Sequence, residues 1–176
     1  KASQVDFTKL TISPPKTLDN GGKMMFINYN GGINPFYITV PEVEVPWEPS
    51  YFSDNDTSGK YAVKISLKNL DENKDLKEFH TMLCNMDTFL KERALANSQS
   101  WFKKKMSEEL INELYTPLVK VSVDDETGEP NGKYPDSFGF KIVKRDNKFK
   151  DFTIYDNHKV VFDVEGKDGP AVDLTN

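Results

Sequence analysis

The chain has 176 residues, of which 37% are apolar and 29% are charged. This balance is typical of one folded domain, or of one domain with a long insertion, and it excludes disorder along the whole length. Its 12 Phe, 7 Tyr and 2 Trp can fill a core, yet no run approaches the roughly 18 consecutive apolar residues of a membrane span. The net charge of −5 makes the average surface repel polyanions, so a nucleic-acid site requires basic side chains gathered on one side.

The cysteine content indicates the compartment. Cys84 is the single cysteine, which excludes an internal disulfide framework and favours a reducing environment. The chain begins at Lys1 and shows no signal peptide or Arg-rich leader, so we expect an incomplete N-terminus and no secretion. We therefore expect an intracellular protein, cytosolic or nuclear.

The first sixty residues are punctuated by prolines and by two Gly-Gly pairs. Between these breaks, short β-type runs predict strands from Met24 to Tyr29 and from Phe36 to Val40, joined by a turn at Asn30 to Gly32. Prolines then interrupt the segment from Pro41 to Phe52. Because proline removes a backbone donor, we expect an irregular or edge segment there.

The central part changes from a period of two to a period of three to four. Alternation from Tyr61 to Leu67 predicts a strand with one buried face, and it places Lys64 on the face opposite Tyr61 and Val63. An apolar stripe then predicts a helix from about Asp71 to Ala96. The polar run from Asn97 to Ser100 predicts its end, and a shorter helix is expected from Ser107 to Thr116.

The remaining segments read as strands again. Alternating valines follow Leu118, an acidic turn runs from Asp124 to Gly132, and Phe138, Phe140 and Ile142 alternate. Further hairpins are expected across residues 145–155 and 156–162, before a polar end. The order of predicted elements is therefore strands, a long helix, a short helix and more strands. This order predicts one mainly β domain, an antiparallel barrel or sandwich with a helical insertion at about 71–116.

Signals of catalysis are weak. His80 and His158 stand apart from Cys and from carboxylate clusters, and Cys84 adjoins the apolar stripe of the long helix. No phosphate-binding loop or nucleophile elbow occurs, and the acidic turn at Asp124 lacks the alternating oxygen ligands of a calcium loop. We therefore predict a protein that is not an enzyme and has no catalytic residue, metal site or cofactor.

Signals of nucleic-acid binding are stronger. Three groups of lysines occur beside aromatic residues: Lys60, Lys64 and Lys68; Lys103 to Lys105; and the basic residues between Lys141 and Lys150. A cationic groove follows a phosphate backbone, and exposed rings stack on unpaired bases without reading sequence. The long helix has the pattern of a core-packing element and not of a base-reading one, which favours single strands over duplex. Solubilising lysines and core aromatics remain the alternative explanation.

The central motifs resemble a known family. They are Asn97 to Lys105 (NSQSWFKKK), Leu114 to Lys120, Lys133 to Pro135, Tyr37 to Pro41 and Lys60 to Leu67. Together these segments resemble the single-stranded DNA-binding proteins of phycodnaviruses and mimiviruses, which are similar to the replication single-stranded DNA-binding protein of T7-like phages. The resemblance covers most of residues 26 to 155.

The resemblance implies an OB-fold, a small Greek-key barrel against which the long helix packs as an insertion. It also implies single-stranded DNA as ligand, work in viral DNA replication, recombination or repair, and a location in the host nucleus or a cytoplasmic replication site. Implied partners are replication proteins (a polymerase or helicase-primase) and further copies of the chain, with no membrane. Implied DNA contacts are Lys60, Lys64, Trp101, Lys103, Lys104, Lys105, Tyr134, Lys141 and Lys144.

The C-terminal end departs from the family, which continues with further β sequence and, in the phage proteins, an acidic tail. Here the chain stops at Asn176 with a mild acidic bias, so either it is a fragment or the protein differs.

Two other functions stay open. A virion or assembly domain would bind a protein partner through Trp47, Tyr51 and Phe52. An RNA-binding module would use the same lysines and rings, since stacking does not sense the 2′-hydroxyl.

Overall fold

The computed structural model describes residues 1–31, 36–47, 50–53, 59–146, 148–149, 155–156 and 159–160. The chain forms two compact units. The first, the helical unit, comprises Lys1–Pro41 and Leu70–Leu118; the second, the sheet unit, comprises Glu42–Asn69 and Val119–Asn176. The residues predicted to form strands or turns at 32, 152–154, 157–158 and 161–162 lie outside the described residues.

The long helix of the helical unit confirms the periodicity of the sequence. Helix α1 spans Lys74–Ala96, and the side chain of Asn73 caps it by accepting a hydrogen bond from the N–H of Leu76 at 3.0 Å. Its buried residues recur at steps of three and four: Leu76, Phe79, Met82, Leu83, Met86 and Phe89. This stripe is the centre of the unit's core.

Two short helices follow, and one of them was not predicted. Helix α3, Glu108–Leu114, begins where expected, because the Ser107 side chain accepts a hydrogen bond from the N–H of Leu110. The run from Asn97 to Ser100 ends helix α1 as predicted, but it also begins helix α2, Ser98–Phe102. Burial of Ser98 and Trp101 holds this single turn against the unit, so tertiary packing outweighs the local preference.

The N-terminal strands of the helical unit pair with one another. Strand β1 (Leu10–Ile12) pairs with β4 (Ile27–Tyr29), and β2 (Lys16–Thr17) pairs with β3 (Lys23–Met24), both antiparallel. The predicted strand from Met24 to Tyr29 is therefore two strands with different partners. The predicted strand from Phe36 to Val40 was wrong: the segment is irregular, since alternation alone does not supply a ladder of backbone partners.

The sheet unit is organised around two long antiparallel strands. They are β6 (Gly59–Ser66) and β8 (Ser137–Arg145). The shorter strands are β5 (Ser50–Ser53), β7 (Val119–Lys120), β9 (Lys148–Phe149), β10 (Tyr155–Asp156) and β11 (Lys159–Val160). The sheet order is β5–β6–β8–β7, and β9 also pairs with β8. Strands β10 and β11 pair only with each other among the described strands.

The predicted OB-fold, a mainly β Greek-key barrel, was wrong. A barrel requires the first and last strands of one sheet to pair, whereas the described strands form separate sheets, none of them closed. About 32% of the chain is helical and 23% is strand. The physical cause lies in the N-terminal strands, which are two or three residues long and pair locally; Pro14 and Pro15, which lack an N–H, separate β1 from β2.

Candidate nucleic-acid interface

Three of the predicted lysines share one face of the sheet. Lys60 and Lys64 lie on β6, and Lys141 on β8 pairs with Ala62, the residue midway between them. Directly paired residues point to the same side of a sheet, and diagonal neighbours lie about 7–8 Å apart. Lys141 is therefore a diagonal neighbour of both Lys60 and Lys64, and the three positions form a triangle on the sheet.

Small residues lie beside two of these lysines, and Val143 pairs with the third, Lys60. Ala62 lies between Lys60 and Lys64 on β6, and Gly139 pairs with Lys64 on β8. A Cβ atom at Gly139 would lie 3.9 Å from Cγ of Lys64, so the glycine leaves the surface low beside that lysine. We call this surface, Lys60, Ala62, Lys64, Gly139 and Lys141, the lysine face.

The described positions of β6, β7 and β8 on the lysine face carry no carboxylate, and the nearest acid in the pairing is Glu44, which bridges to Ser66 beyond Lys64. Lys64 and Lys141 are exposed, and Lys60 is partly exposed. Lys120 on β7 pairs with Ser137 and extends the same face by one more cation. At the far end Lys68 binds Glu44, with 2.6 Å between Nζ and Oε2, so that pair neutralises itself. Uncompensated positive potential therefore remains at the centre of the face.

The opposite face of the sheet is apolar and fixes the position of the lysines. Val63 and Ile65 are each 1% exposed and Ile142 is 5% exposed. A slip of one residue in the pairing would bury lysines and expose these side chains, so the register is strongly specified. The alternation predicted from Tyr61 to Leu67, with Lys64 on the polar side, is confirmed.

Tyr134 supplies an accessible ring in the same unit. It lies three positions before β8, and 57% of its surface is exposed. The Nζ of Lys133 lies 5.3 Å from the centre of the ring, within the range of a cation–π contact. The ring is therefore available for stacking and has a cation beside it.

Lys144 pairs through its backbone with Gly59, and its side chain lies outside the described part of the structure.

The remaining predicted contacts belong to the helical unit, and one of them is a core residue. Trp101 is only 8% exposed, so the expected stacking of its indole on a base is not supported. Lys103, Lys104 and Lys105 follow it and are all exposed. The nine predicted residues thus do not form one set: Lys60, Lys64 and Lys141 share a face, and the lysine triplet lies in the other unit.

Phe102 is an aromatic neighbour of the lysine triplet that was not among the predicted DNA contacts. It is 44% exposed, next to the buried Trp101. Successive residues of a helix point about 100° apart, which allows Phe102 to be exposed while Trp101 faces the core. That rule was available from the sequence, but it requires knowing which of the two rings faces the core.

The other polar groups of the described residues have structural roles. Asp124 closes the acidic hairpin by accepting hydrogen bonds from the N–H groups of Thr127 at 2.9 Å and Glu126 at 3.0 Å. These bonds, the one from Thr127 first, hold the pKa of the Asp124 carboxyl below its ordinary value. No group of three or more metal-ligating side chains occurs in the part of the chain that was searched, the described residues.

Comparison with known proteins gives no match: no family model, no curated protein and no solved structure is similar to the chain. The resemblance to viral single-stranded DNA-binding proteins stays a prediction from the motifs quoted above. Among the described helices, none is both long enough and apolar enough to cross a membrane.

Proposed function

We propose that this protein binds single-stranded DNA without reading its sequence, and that it is not an enzyme. The observation that supports this function best is the gathering of Lys60, Lys64 and Lys141 on one exposed face with no carboxylate among the described strand positions there. An acidic protein holds a polyanion only where its cations converge, and the lysine face meets that requirement.

The geometry favours contact with phosphates over contact with base edges. Lysine is a flexible point charge that binds phosphate oxygens, and the low surface between the three lysines admits a backbone close to the sheet. The exposed ring of Tyr134 offers a stacking partner for an unpaired base in the same unit. Coating of exposed strands during viral replication, recombination or repair is the role that the sequence resemblance adds to this proposal.

The salt dependence of binding tests the proposal. Fluorescence anisotropy of labelled oligo(dT), titrated with the full chain at several salt concentrations, gives the slope of log K against log salt. Each phosphate neutralised on a single strand contributes about −0.7, so three lysines predict a slope of about −2, and further contacts make it steeper. Absence of binding at about 50 mM salt, where electrostatic attraction is strong, would contradict the proposal.

A protein-docking function is the second candidate, and the exposure of Trp47 favours it. Trp47 lies in the sheet unit and is 41% exposed, and an exposed indole is a common anchor of protein interfaces. The side chains of Tyr51 and Phe52 lie outside the described part of the structure. Replacing Trp47 with Ala distinguishes the two functions: loss of a protein partner with unchanged oligo(dT) affinity supports docking, whereas the lysine face matters only for DNA.

A further inference from the structure

The turn that follows helix α2 presents an exposed ring beside three exposed cations. Phe102 ends the helix, and Lys103, Lys104 and Lys105 follow. The rings of Trp101 and Phe102 meet edge to face, with centroids 6.3 Å apart and an interplanar angle of 83°. The buried indole thus supports the phenyl ring of Phe102, which remains 44% exposed.

The turn is anchored at both ends. Lys23 donates a hydrogen bond from Nζ to the backbone oxygen of Trp101 at 2.6 Å, and the N–H of Met106 donates to Oγ of Ser98 at 3.3 Å. Lys103 adopts the left-handed conformation, with φ of 61°, and so ends the helix sharply. Because these contacts fix the turn before any ligand arrives, binding there costs little conformational entropy.

The cations of the turn are not neutralised by their surroundings. Within the described residues, none of Lys103, Lys104 and Lys105 forms an ion pair. A groove of about 500 Å³ includes Trp101 in its lining, next to Phe102 in the chain. Its polar lining comprises Arg93, Asn97 and Ser100 from the helices and Thr8, Thr11 and Ser13 from the N-terminal segment, and its apolar lining comprises Leu10, Ile12, Pro14 and Pro15. Guanidinium, amide and hydroxyl groups of this kind bind the polar edges of bases and phosphates.

We propose that this turn is a second nucleic-acid contact, in which Phe102 stacks on an unpaired base and Lys103 to Lys105 bind the flanking phosphates. The inference rests on the proposed function and adds to it the origin of the preference for single strands. A lysine face attracts the phosphates of a duplex as well as those of a single strand. The Phe102 ring discriminates, because bases in a duplex are already stacked and paired.

The test compares single-stranded and duplex affinity in matched variants of the full chain. Phe102→Leu removes the ring but keeps an apolar side chain against Trp101. Phe26→Leu is the control, since Phe26 lies in the same unit and is 51% exposed. We expect Phe102→Leu to weaken oligo(dT) binding by about 5-fold or more, with an unchanged salt slope and unchanged affinity for a duplex. We expect Phe26→Leu to change neither affinity.

Two further measurements separate the possible failures. In a Trp47→Phe background Trp101 is the remaining tryptophan, so its emission reports on the turn directly and should change when oligo(dT) binds. Replacing Lys103, Lys104 and Lys105 with Gln should reduce the salt slope by about 2. If oligo(dT) still binds through the lysine face but neither set of variants changes the affinity, the second contact is overturned and the proposed function stands. If the wild-type chain binds no DNA, both are overturned.

Discussion

Two groups of three lysines dominate the positive charge described above, and they are assembled in different ways. Lys103, Lys104 and Lys105 are consecutive in the chain and lie on an anchored turn of the helical unit. Lys141 is far from Lys60 and Lys64 in the chain and is brought beside them by the pairing of β6 with β8. The first group needs only a short segment to exist, whereas the second exists only when the sheet is formed.

This difference separates two ways of binding a polyanion. The lysine face has fixed spacing and small neighbours, so it suits the regular repeat of a phosphate backbone. The turn combines charge with an exposed ring, so it suits a strand whose bases are free. The predictions that follow begin with the lysine face, and the variants of Phe102 and of Lys103 to Lys105 given above supply the comparison with the turn.

Removing the lysine face should have the largest effect. We expect K60Q/K64Q/K141Q to reduce the salt slope of oligo(dT) binding by about 2. If the variant and the wild type bind equally at 1 M salt, this change in slope makes the variant roughly 100-fold weaker than the wild type at 0.1 M salt. Duplex binding should fall in parallel, because both ligands present phosphates. Anisotropy titrations at several salt concentrations measure both quantities. An unchanged slope would show that the phosphates lie elsewhere.

Removing the hydrogen bonds that Asp87 accepts within the helical unit should lower the stability of the fold but leave the salt slope of DNA binding unchanged. Asp87 accepts hydrogen bonds from the hydroxyl of Tyr115 at 2.6 Å and from the N–H of Leu118 at 3.0 Å. Asp87→Ala leaves both donors without this partner, so we expect the free energy of unfolding to fall by about 1–3 kcal/mol in urea denaturation. Tyr115→Phe removes only one bond and should cost less. A changed salt slope in folded Asp87→Ala would contradict this assignment.

A single acid placed on the lysine face should weaken binding by a smaller factor. Gly139 pairs with Lys64, and an added Cβ meets only ordinary contacts, 3.7 Å from the backbone oxygen of Val63 and 3.9 Å from Cγ of Lys64. Gly139→Glu therefore fits the fold and neutralises one or two cations, for a loss of about 10-fold at 0.1 M salt. Gly139→Gln has the same shape without charge and should bind nearly as the wild type does. Equal losses in both variants would indicate a steric cause.

The acidic hairpin should give the smallest effect, seen only at low pH. Hydrogen bonds from the N–H groups of Thr127 and Glu126 lower the pKa of Asp124 below its ordinary value of 3.8. A carboxyl whose pKa is lowered on folding stabilises the fold above its unfolded pKa and loses that contribution as the pH falls through the folded value. We expect the amide NMR signals of both donors to titrate with a midpoint below 3.8. Asp124→Asn keeps an acceptor and should abolish this titration.

The sequence predicted local structure well and long-range pairing poorly. Helix α1 and strand β6 follow from periodicity, because each buries one continuous face. The neighbour of β6 is β8, and no local pattern shows that Lys141 will lie beside Ala62. The barrel was wrong for the same reason, since closure depends on which distant strands pair.

The candidate site shows the same limit on the scale of single side chains. Lys64 was assigned to the polar face by alternation alone, and that assignment is confirmed. Trp101 and Phe102 are adjacent and both aromatic, so composition does not tell which one enters the core. The packing of α2 against the unit decides it, and this packing involves the N-terminal Lys23, which lies far away in the chain.

Strand β6 pairs with β8 from Gly59 and Lys144 to Ser66 and Ser137. The lysine face therefore cannot form during synthesis until β8 has been made. Helix α1 needs only neighbouring residues and can form early, whereas ladders between distant segments close slowly. While the ribosome is still making β8, the nascent chain already carries the contiguous lysines but has no assembled lysine face. Under the proposed function, full affinity for a polyanion is therefore expected only after β8 has been translated.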